Sequence, residues 1–149
     1  MSARTLGAGV ALACLLVGAT ACVPASPDDD TYEGKASTTL GGAVSEVATM
    51  QKILGALHEG RIFRQTAIAQ MRDSQSSLDT NTGAFNEVHP PRDLDWLYRR
   101  SNALLSDAAD TGNQARLAIE RYEAYRYPAI ARELGSIADR LGRLEGKVS

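Results

Sequence analysis

The 149-residue chain contains only two cysteines, two histidines, one tryptophan and five prolines. Each scarcity removes a class of function. His58 and His89 belong to neither an H-E-x-x-H nor a Glu-x-x-His pair, so the ligand sets of zinc hydrolases and di-iron bundles are missing. No glycine-rich phosphate loop follows a strand, and no Cys or His is available to form a nucleophile–base pair. A surplus of positive charge is absent too, since 16 Lys and Arg face 18 Asp and Glu. Such a balance offers no electrostatic footing for nucleic acid. Paired carboxylates such as Glu120 and Glu123 are the one catalytic arrangement left, and i,i+3 acids are common on solvated helix faces. The expectation is a protein without catalysis and without a metal or dissociable cofactor.

Residues 6–23 carry no charge and are rich in Leu, Val, Ala and Gly. Arg4 precedes this run and Ala19-Thr20-Ala21 closes it, which are the three parts of a secretory signal peptide over residues 1–21, cut after Ala21. The alternative is an uncleaved anchor helix, but the run is close to the lower limit for spanning a bilayer. Cleavage would discard Cys14 and Arg4. Cys22 would then be the single thiol, no intramolecular disulfide could form, and 15 basic residues would face 18 acidic ones, a net −3.

The stretch Gly18-Ala19-Thr20-Ala21-Cys22 resembles the lipobox of bacterial lipoproteins, with one departure: Ala19 stands where Leu is commonest. The resemblance covers only the first 22 residues. It implies a diacylglyceryl group on the Cys22 thiol, with or without a further N-acyl chain, and attachment to the extracytoplasmic face of a bacterial membrane. An ordinary secretory signal would be cut at the same bond, so the two readings differ only in whether Cys22 is acylated. Residues 22–36 contain Pro24, Pro27 and Asp28-Asp29-Asp30 without periodicity, as expected of a flexible tether.

The domain proper is expected over 37–148. Apolar residues recur at helical spacing over 38–78, where nine of 12 seam positions are apolar. Such a helix would extend about 60 Å. Residues 79–91 hold Asp, Asn, Thr, Gly and the pair Pro90-Pro91, and read as a loop. A second helix is expected over 92–148. Its phase passes unbroken through Thr111-Gly112-Asn113 and slips by one position at Pro128, where a kink is expected. The fold class is all-α: a long antiparallel, coiled-coil-like helical hairpin, with a three-helix bundle as the alternative.

In the hairpin, residues 130–148 overhang, and Ile130, Leu134, Ile137, Leu141, Leu144 and Val148 form an apolar stripe without a partner in the chain. Two uses of it stay open. It forms a coiled coil with a protein partner or second copy, or it lies on a membrane or folds back as a third helix. The near balance of Arg132, Arg140, Arg143 and Lys147 against Glu133, Asp139 and Glu145 favours helix pairing. Arg61 and Arg64 fall on the seam of the first helix, able to receive an anionic ligand or to pair with Asp107 or Asp110. Tyr122 and Tyr125 lie on the second seam and are expected in the core, whereas Tyr127 lies off it and is a candidate interface residue. The function expected is a membrane-anchored helical binding, adaptor or structural module of the cell envelope. The alternatives are a small-molecule or anion-binding helical bundle and, last, a carboxylate enzyme.

Overall fold

Asp28 opens the first helix as its N-cap, its carboxylate accepting a 2.9 Å hydrogen bond from the Thr31 amide. Hydrogen bonding from the Thr31 side chain, and then from its amide, holds the Asp28 carboxyl below the usual carboxylate range. Asp29 and Asp30 follow in the first turn, where the helix dipole favours negative charge. A computed structural model describes residues 28–148 of the chain. The expected signal peptide, its cleavage point Ala21 and the lipidation site Cys22 lie outside the described residues.

All regular structure among the described residues is helical, in four helices. These are α1 (Asp29–His58), α2 (Arg64–Asn86), α3 (Asp95–Glu120) and α4 (Tyr127–Glu145). Short 3₁₀ turns, Arg92–Leu94 and Ala124–Arg126, lead into α3 and α4. The expected all-α class holds, and the two long helices of the hairpin are each divided in two.

Facing residues give the directions. Tyr32 of α1 stacks on Phe85 of α2, with ring centroids 5.7 Å apart, and Phe85 in turn stacks on Tyr98 of α3 at 6.0 Å. At the other end of α2, Arg72 reaches Glu120 of α3. Gly41 faces Glu145 and Gly135 faces Gln51, so closely that a methyl group on either glycine would lie 2.7 and 2.9 Å from the facing side chain. Residue numbers therefore rise along one helix and fall along its neighbour for α1–α2, α2–α3 and α1–α4. Short connections favour this antiparallel arrangement. One apolar core is shared by all four helices.

Several expectations are corrected. The tether expected over 22–36 overlaps α1, which begins at Asp29 and buries Tyr32 and Ala36 completely. The loop over 79–91 shrinks to 87–91, since α2 continues to Asn86. Its Asn, Thr and Gly residues are weak helix formers, but burying Phe85 between Tyr32 and Tyr98 outweighs that weakness. Pro128 does not kink a helix: it lies in the first turn of α4, where its missing N–H costs nothing.

The stripe after Pro128 is not an overhang. Ile130, Leu134, Ile137, Leu141, Leu144 and Val148 are all buried, and α1 is the helix against which α4 packs most extensively. The chain reverses direction before Pro128, so the stripe meets its own first helix rather than a partner.

Candidate functional site

Two of the three reversals lie at the same end of the molecule, the end opposite Asp28, and they share one geometry. After α1, Arg61 N–H donates to Ala56 O at 2.8 Å and Gly60 N–H to Leu57 O at 3.1 Å. After α3, Glu123 N–H donates to Ala118 O at 2.9 Å and Tyr122 N–H to Ile119 O at 3.3 Å. Both are Schellman turns, which require a left-handed residue just past the helix. At the first turn that residue is Gly60, with φ of 70°. At the second it is Tyr122, with φ of 61°, the only non-glycine with positive φ among the described residues.

The left-handed conformation costs an L-residue about 1–2 kcal/mol, which is why glycine is usual there. Tyr122 bears that cost with a side chain that is 71% exposed. Burial therefore does not account for it. The Arg64 guanidinium lies 4.2 Å from the centroid of its ring and ties the start of α2 to the end of α3.

The same end exposes Phe63 (85%) and Tyr125 (81%). Phe63 is the N-cap of α2 and makes no side-chain cap hydrogen bond. The turns that carry these aromatics also carry arginines. Arg61 pairs with Glu59, and Arg126 with Glu123 at 2.7 Å. The fourth exposed large apolar residue, Trp96, belongs to the opposite end, near the start of α3.

The tyrosine expectations are thus reversed. Tyr122 and Tyr125, expected in the core, are exposed, and Tyr127, expected at an interface, is 5% exposed. Burial raises the Tyr127 hydroxyl pKa. The reason is the turn itself: α3 ends at Glu120, so a seam extrapolated past it points side chains out of phase. The burial pattern of this segment could not be read from periodicity, because Tyr is not the residue that normally marks such a turn.

Arg61 and Arg64 lie at this end, but neither pairs with Asp107 or Asp110. Asp107 is instead held by Arg140 of α4 at 3.0 Å. Glu120 accepts from Arg116 at 2.8 Å and Arg72 at 3.1 Å, and the Arg116 bond is the main cause of its lowered pKa. Glu123 is occupied by Arg126. A carboxylate held ionised between guanidiniums is poorly suited to donate a proton. Among the described residues no group of three His, Cys, Asp or Glu side chains is placed to hold a metal, and no helix is long and apolar enough to cross a membrane. Compared with protein-family models, curated proteins and solved structures, the chain matches none of them.

Proposed function

We propose that the protein is a lipid-anchored extracytoplasmic binding module, whose four helices form a stand-off between a membrane and a protein partner. The observation that carries this reading is the grouping of Phe63, Tyr122 and Tyr125 at the end farthest from Asp28. Aromatics and arginines are the residues enriched at interface hot spots, and large exposed apolar side chains gathered at one place mark contact sites. With Cys22 acylated, residues 22–27 form a tether reaching at most about 20 Å. The 30 residues of α1 then carry the aromatic end about 45 Å further. This end takes over the binding role first expected of residues 130–148.

Catalysis has no place in this reading, since the paired acids are engaged by arginine. Two measurements test it. Metabolic labelling with a fatty acid should mark the wild-type protein and leave Cys22→Ser unlabelled. A photo-crosslinking residue at position 63 or 125 should give one discrete protein adduct in native membranes, and the same residue at position 96 should not. Labelling that persists in Cys22→Ser, or equal adducts from both ends, overturns the proposal.

A further inference from the structure

A second feature is independent of the aromatic end and of any lipid anchor. Between α1 and α2, beside the first turn, lies an open cleft of about 540 Å³. Small residues create it. Gly55 and Ala56 on α1 and Ser74 on α2 leave the space that larger side chains would fill, and a methyl group on Gly55 would touch nothing within 4 Å. Ile53 and Ile62 add apolar walls, and Thr49, Lys52, Arg61, Gln70 and Asp73 supply polar ones.

Lys52, Arg61 and Asp73 are the charged residues of its walls. Glu59 already pairs with Arg61, whereas no ion pair among the described residues engages Lys52. Ser74 is only 5% exposed and brings a hydroxyl to the wall, for which no hydrogen bond is formed among the described residues. An apolar trough of ligand size, with an unpaired ammonium at its edge and a hydroxyl in its wall, suits one kind of guest. The guest has an unbranched apolar body, and an anionic head able to accept from both groups.

We infer that the α1–α2 cleft binds a monoanionic amphiphile, a carboxylate on an apolar chain of fatty-acid type. Its chain would lie along Ile53, Ala56 and Ile62, and its head would meet Lys52.

Decanoate, used below its micellar concentration, is the probe. Titrated into the ¹⁵N-labelled chain, it should shift amide resonances saturably within residues 49–56, 61–62 and 70–74. Ala56→Leu keeps a good helix former at a half-buried position and fills the trough. That variant should weaken decanoate binding at least tenfold. Lys52→Glu, at an exposed position, should weaken it at least fivefold. Decyltrimethylammonium, with the same chain and opposite charge, should bind at least fivefold more weakly than decanoate. The inference is overturned by non-saturable or scattered shifts, by parental affinity in either variant, or by equal binding of the cationic analogue.

Discussion

The guanidinium of Arg64 lies over the ring of Tyr122, 4.2 Å from its centroid, and joins turns that are 58 residues apart in the chain (122 − 64). A contact of this kind is worth about 0.5–1 kcal/mol at an exposed site. A double-mutant cycle with Arg64→Ala and Tyr122→Ala, followed by urea denaturation, should return a coupling energy in that range. Additive losses would mean that the two side chains are neighbours without being partners.

The two Schellman turns give a matched pair of substitutions. Gly60→Ala places a side chain in the left-handed region and should cost about 1 kcal/mol. At the other turn the order inverts. Tyr122→Gly should be more stable than Tyr122→Ala by about 1 kcal/mol, because both lose the ring but only glycine is relieved of the strained backbone. Thermal or urea unfolding of the three variants checks both signs.

Leu134 is fully buried between α4 and its neighbours. Leu134→Ala should therefore cost about 2–5 kcal/mol of folding stability. Arg132→Ala, at an exposed position of the same helix, should fall within about 0.5 kcal/mol of the parent. Had the stripe been a docking face, the leucine substitution would change association and leave stability alone. Urea denaturation alongside sedimentation distinguishes the two.

Tyr32 is fully buried and its hydroxyl has no hydrogen-bond partner. Burial, with smaller contributions from Tyr98 and Asp95, pushes its pKa up from 10.0 to about 12. The unfolded chain thus releases this proton first, and stability should fall as pH rises between those two values. Tyr32→Phe should be more stable than the parent at neutral pH by about 1 kcal/mol, through loss of the unsatisfied hydroxyl. It should also lose less stability than the parent between pH 10 and 12, as measured by urea midpoints across that window.

Much of the core was legible from periodicity alone. Leu40, Val47, Leu54, Met71 and Leu78 in the first half are buried, as are Leu97, Leu104, Ala115 and Leu141 in the second. Spacings of three and four place side chains on one face of any helix, and that face finds a core whatever the partner. The unbroken phase through Gly112 likewise predicted one helix, and α3 runs through it.

The turns were a different matter. Gly60 was visible, but one glycine inside a periodic stretch weakens a helix as readily as it ends one. Tyr122 gave no local sign of a reversal, because its left-handed backbone is held by Glu123 N–H donating to Ala118 O and by Arg64 packed over its ring. Arg64 comes from another helix, so this support exists only once the helices have assembled. The candidate binding end shares that origin, since Phe63, Tyr122 and Tyr125 are gathered by two turns far apart in sequence. By itself the sequence determined the helical class and most of the buried face, because both follow from local spacing. Where the chain reverses, and which aromatics it exposes there, was decided by contacts between helices, which spacing along one helix does not encode.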